Sequence, residues 1–130
     1  MKRLLLYFAA GCLGGLINSL SVWAAGDFGI AHSMGVSIAP ALTPPWLYPR
    51  IVWGGIWGFM FIFPVLKSNT FARGTFLSLF PTLVQLFVIF PYKANKGIAG
   101  LDLGLLTPVL VIVYNWIWGV VTAFTIKFSR

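Results

Sequence analysis

Glutamate is absent from this 130-residue chain, Asp27 and Asp102 are its only acids, and it has one histidine, His32, and one cysteine, Cys12. These scarcities exclude a good deal. A single cysteine leaves no internal disulfide, no CxxC redox pair and no multi-cysteine zinc or iron–sulfur site. Acid–base and nucleophilic catalysis need a nucleophile, a base and an orienting group within reach of one another. That supply is too thin here, so no enzyme, catalytic residue, metal or cofactor is expected. His32, alone beside Ser33 in a loop, reads as a solvated or hydrogen-bonded surface group.

What is present is apolar. Hydrophobic residues make up 59% of the chain and charged residues 8%, with a mean hydropathy of +0.93, the composition of a polytopic membrane protein. The net charge is +7. Its basic residues sit mostly at the ends of hydrophobic segments, which points to anionic lipid headgroups rather than to nucleic acid. The opening MKRLLLYFAAGC resembles a cleaved signal, but the apolar run continues through Cys12 as LGGLINSLSVWAA. A signal does not need that spanning length, so an uncleaved first helix is expected.

Four spans follow, at about residues 4–25, 49–66, 74–90 and 108–126. Thr43 before Pro44 and Pro45, and Thr107 before Pro108, suit helix starts in which a threonine caps the free amides, with Pro49 offering a second possible start. Pro81 should kink the third span. Residues 26 to 45 are too long for an ordinary bundle connection and too apolar for a solvated linker. Ile30 to Ala39 is therefore expected as a short interfacial or re-entrant helix, with Ile30, Met34 and Ile38 turned to the bundle or lipid and Ser33 and Ser37 on the polar side. The expected fold is an all-α, single-domain bundle of four transmembrane helices with that short helix in its first outer loop.

Lys2, Arg3, Lys67, Arg73, Lys127 and Arg130 fall on one side, against Arg50, Lys93 and Lys96 on the other. The basic-inside bias then places both termini in the cytoplasm of an inner-membrane protein, with Trp23, Trp46, Tyr48 and Tyr92 at the outer interface. Gly29-Ile30, Leu42-Thr43-Pro44 and Ile56-Trp57-Gly58 recur in order as Gly97-Ile98, Leu106-Thr107-Pro108 and Ile117-Trp118-Gly119, with offsets drifting from 68 to 64 to 61. Two readings fit: a duplication of parallel helical hairpins, or coincidence in a chain rich in Gly, Ile and Trp.

Polar residues inside the spans carry the functional expectation. Thr75, Ser78, Thr82 and Gln85 share one face of the third span. Gly11, Gly15 and Asn18 line the first, with Ser19 alongside, and Asn115, Gly119 and Thr122 line the fourth. Asn18, Gln85 and Asn115 each lie roughly 10 Å below the outer interface at the helical rise per residue. They therefore form one candidate cluster, with Arg50 at its rim. Arg50 is expected to snorkel to headgroups or to pair with Asp27 or Asp102. Gly11 with Gly15, and Gly54 with Gly58, offer close helix-packing faces. Two roles follow. One is a non-enzymatic accessory or assembly subunit, or a homo-oligomer, acting through helix packing. The other is a small oligomeric transporter or channel with a polar cavity in the outer half of the membrane. Trp53, Trp57, Trp116 and Trp118 read as packing.

Overall fold

The structure, a computed structural model, describes residues 2–36, 40, 42–63, 68–93 and 97–129. Helix α1 covers Lys2–Asp27 and α2 is a single turn at Ile30–Ser33. Helix α3 covers Pro44–Gly58 and tightens into a 3-10 turn at Phe59–Ile62. Then come α4 (Thr70–Leu77), α5 (Leu79–Val84) running into a π-helical stretch at Gln85–Lys93, a short 3-10 segment at Ile98–Leu103, and α6 (Thr107–Phe128). Three stretches, Lys2–Asp27, Thr70–Tyr92 and Thr107–Phe128, are long and apolar enough to cross a membrane. Those lengths mark a helical membrane protein.

The helices form an open ring. α3 packs on α1, α1 on α6, and α6 on α4 and α5, whereas α3 and the 70–93 helix, which would close the ring, make no comparable contact among the described residues. Glycines set the two closest crossings. A Cβ placed on Gly54 would lie 2.7 Å from the Gly11 carbonyl oxygen and 2.9 Å from Gly15 Cα, so α1 and α3 meet backbone to backbone. Gly74 and Gly119 bring α4 and α6 together in the same way, each facing the other's carbonyl. One apolar cluster, Ala10, Phe61, Leu77, Trp118, Ala123 and Ile126, fills the end that holds Lys2 and Phe128. A second, Val22, Ala25, Ala31, Val36, Leu110 and Tyr114, closes the opposite, loop-bearing end. The polar cluster lies between them.

Several boundaries differ from expectation, each for a local reason. α3 begins at Pro44, with the tandem prolines in its first turn, and carries Pro49 inside. Pro49 has no N–H to give to the Pro45 carbonyl, and that turn is exposed, where water or headgroups can satisfy it. Neither threonine caps through its side chain: Thr43 makes no such bond, and Thr107 sits inside the helix with its buried Oγ1 unpartnered. The third span starts earlier, at Thr70, because Asn69 caps it by accepting from the Ala72 N–H at 3.1 Å. Its interruption falls at Ser78, one turn before Pro81, as the missing N–H at Pro81 requires. The expected end of the second span, at 64–66, lies outside the described residues.

The outer-loop helix is shorter than expected. Gly35, at φ 73°, ends α2 in a Schellman turn: the Gly35 N–H donates to His32 O at 2.9 Å and the Val36 N–H to Ala31 O at 2.9 Å. Ala31 and Val36 are the residues buried, while Ile30 is 54% exposed. Ser37, Ile38 and Ala39 lie outside the described residues. In a Cys12→Ala background, a water-soluble thiol reagent should label Ser33→Cys quickly and Ala31→Cys slowly. Equal rates would mean that this turn does not hold.

Candidate functional site

Arg50 sits on the second turn of α3, where the glycine crossing brings α3 close enough for its side chain to reach α1. Its Nε donates to Ser19 Oγ at 2.9 Å and its Nη2 to Asn18 Oδ1 at 2.9 Å. The guanidinium also lies over the Trp46 ring, 4.9 Å from the centroid; Trp46 is four residues earlier and so on the same helix face. Asn18 is 6% exposed and Ser19 fully buried. Asn18 Nδ2 then donates to the Tyr114 carbonyl at 2.7 Å and, at 3.5 Å, to Asn115 Oδ1. Asn115 Nδ2 donates to Gln85 Oε1 at 3.2 Å. The candidate residues Arg50, Asn18, Asn115 and Gln85 thus form one hydrogen-bonded row across α3, α1, α6 and the start of the π-helical stretch.

The electrostatics of the row follow from its first member. An arginine only donates, so it fixes the Asn18 oxygen toward itself and turns the Asn18 nitrogen onward, and the same logic passes along to Gln85. No carboxylate pairs with Arg50 among the described residues. Asp27 is exposed and makes no such pair, and the Asp102 side chain lies outside the described residues. The charge is therefore met by dipoles and one aromatic face, an expensive arrangement for a half-buried cation.

The row floors a cleft of about 460 Å³, within the size range of small-molecule sites. One wall is α3, with Pro49, Trp53 and Trp57, and the other is the 81–89 stretch, with Pro81, Val84 and Ile89. Gly15 and Gly54, at the α1–α3 crossing, also line the cleft. Of the remaining polar residues of the third span, Thr82 bonds only within its own helix, whereas Thr75 also reaches α6. Thr82 Oγ1 bonds the Ser78 carbonyl at 2.8 Å, and Thr75 Oγ1 bonds Phe71 O at 2.9 Å while accepting from Trp116 Nε1 at 2.9 Å. Thr122 likewise bonds Trp118 O at 2.7 Å.

The helix-packing glycines Gly11, Gly15, Gly54 and Gly58 meet one another within the chain, and Gly119 meets Gly74. Gly74 was not among the expected packing positions. Its signal in the sequence is the small-xxx-small spacing Gly74 to Ser78, and Ser78 shares the contact with Gly119. The cleft walls were also missed as walls, since the tryptophans look like ordinary packing in the sequence. His32 is exposed on α2, and no three His, Cys, Asp or Glu side chains gather among the described residues. No protein family, no curated protein and no solved structure matches this chain, so its cleft is read from its own geometry.

Proposed function

We propose that this chain is a non-enzymatic, multi-pass protein of the inner membrane that holds a small molecule in a polar cleft in the outer half of the bilayer, as the binding unit of a small transporter or channel. The carrying observation is Arg50, without a carboxylate partner among the described residues, at the head of a row of three amides that floors a cleft of about 460 Å³. On this reading α3 supplies the fourth crossing of a four-helix bundle. Its 15 α-helical residues and four-residue 3-10 turn reach about 30 Å at the usual rises per residue, the thickness of the hydrocarbon core. Lys2, Arg3 and Lys127 share one end of the bundle, which the basic-inside bias makes cytoplasmic. Arg50 then lies about 10 Å along α3 from the opposite, outer end.

The test is access to the cleft. In the Cys12→Ala background, purified in neutral detergent, a small water-soluble thiol reagent should modify Val84→Cys, on the cleft wall, much faster than Leu86→Cys, which is 6% exposed. Equal protection of both would mean that the cleft is closed and dry, and would remove the binding role.

A second reading has its own observation. The seam between α3 and the 70–93 helix is open, with Trp53 56% and Ile56 41% exposed along α3. A helix from a second copy or a larger complex would fit there, making the chain an accessory subunit or homo-oligomer. The internal glycine crossings leave that seam as the surface for such packing. In native membranes, cross-linking from Trp53→Cys to another chain would favour this role.

A further inference from the structure

We infer that the cleft takes an anionic amphiphile, a molecule with a negatively charged, acceptor-only oxygen group on an apolar body. This rests on the cleft being a binding site and adds what it binds.

The polarity of the row carries the first half of the argument. Arg50 can only donate, so each amide along the row accepts from the Arg50 side and donates away from it. The last member, Gln85, accepts through Oε1 and keeps its Nε2 hydrogens. At the other end, Arg50 uses Nε and Nη2, and Nη1 meets no acceptor among the described residues. Both ends of the floor therefore present N–H donors, and Arg50 adds a positive charge that no described carboxylate neutralises. A ligand offering cations or donors would leave these groups unmatched, whereas a phosphate diester or carboxylate accepts from them and supplies the missing charge.

The walls carry the second half. Trp53, Trp57, Val84 and Ile89 are apolar and stand on two helices that make little contact with each other among the described residues. The cleft is therefore unroofed along its side, in the direction that faces hydrocarbon when α1 and α6 span a bilayer. A small soluble ion needs no aromatic walls and no lateral entrance; a headgroup arriving with its chains needs both.

The experiment is a titration of the purified full chain in neutral detergent, followed by thermal unfolding. The additives are phosphatidylglycerol, phosphatidylcholine with the same acyl chains, and inorganic phosphate. Phosphatidylglycerol should bind on the order of ten- to a hundred-fold tighter than phosphatidylcholine, the range expected of charge-assisted hydrogen bonds, and inorganic phosphate should produce no shift. Arg50→Gln should bring phosphatidylglycerol down to the phosphatidylcholine level, while Arg50→Lys, which keeps the charge and loses the planar fork, should keep part of the preference. Should Arg50→Gln fail to fold, phosphatidylglycerol brominated in its chains should still quench wild-type tryptophan fluorescence more than brominated phosphatidylcholine does. Equal binding or equal quenching by the two lipids overturns the inference. So does an undiminished preference in Arg50→Gln, and so does stabilisation by inorganic phosphate equal to that by the lipid, which would place a soluble anion in the cleft. A labelled Val84→Cys with no lipid preference would sink this inference alone; an unlabelled one would sink the cleft itself.

Discussion

Gly11→Leu should abolish the native pairing of α1 and α3, with a loss of at least about 3 kcal/mol in detergent unfolding. That is the upper part of the range for overpacking, because the obstacle here is backbone. The Gly11 position faces the Gly54 carbonyl and the Gly55 and Gly58 Cα atoms. No rotamer relieves the clash, since it begins at Cβ, and the two helices must separate. Separation also removes Arg50 from Asn18 and Ser19, so the hydrogen-bonded row should fail in the same variant. Ala9→Leu is the control. Ala9 is exposed on the opposite side of α1, and its enlargement should change stability by no more than about 0.5 kcal/mol. Matching losses in the two variants would mean that α1 and α3 do not cross at these glycines.

That crossing was legible in the sequence because a four-residue glycine spacing has a single geometric consequence, a helix face without side chains. Which face it would meet was not legible: the spacing alone lets Gly11 and Gly15 meet Gly54 and Gly58 inside the bundle or a helix of another chain. That Asn18, Gln85 and Asn115 share one level of the bundle was legible too, since position along a helix follows from counting residues at a fixed rise. Their connection into a row was not, because it depends on rotation about each helix axis and on how far α3 leans over α1. Arg50 shows the gap most clearly. A cation near a helix entrance is ordinarily drawn to headgroups, yet the glycine crossing puts Ser19 and Asn18 within hydrogen-bond reach, and Trp46, one turn earlier, covers the guanidinium. The helix after α1 is shorter than its apolar period at Ile30, Met34 and Ile38 suggests, because Gly35 at positive φ ends it at Ser33.

The open seam and the donor-ended row belong to one design. In a closed four-helix ring, α3 and the 70–93 helix would share an interface like that of α1 with α6, and the amides would be interhelical glue worth roughly 0.6 to 2 kcal/mol each. Here that interface is missing, while the amides lie along the contacts of α1 with α3, α1 with α6 and α6 with the π-helical stretch. The row ties those elements together, and Arg50 and Gln85 at its two ends also line the cleft.

Arg73→Leu should be the most damaging single change away from the glycines, with a loss of about 3 kcal/mol or more. The sequence presents Arg73 as a topology charge beside a turn, but the structure buries it to 5% exposure. From the first turn of α4 its Nη2 donates to the carbonyl of Phe61 and, at 3.4 Å, to that of Phe63, and its guanidinium lies 5.1 Å from the Phe61 ring centroid. These carbonyls terminate the 3-10 turn that ends α3, where no further helical N–H arrives. Replacing the arginine with leucine leaves the buried Phe61 carbonyl without this donor. An orphaned acceptor costs about 1 to 3 kcal/mol and the loss of a charged donor adds to it. Phe61, fully buried against Trp118, would then lose the partner that fixes its backbone, so the damage should spread into the apolar cluster at that end. Arg73→Lys should recover only part of the loss, because a single ammonium on a flexible stem reaches two diverging carbonyls less well than a planar fork. Detergent unfolding of the three proteins would check the order, wild type above Lys above Leu. A leucine variant as stable as wild type would mean that Arg73 is a surface charge after all and that the end of α3 is held by something else.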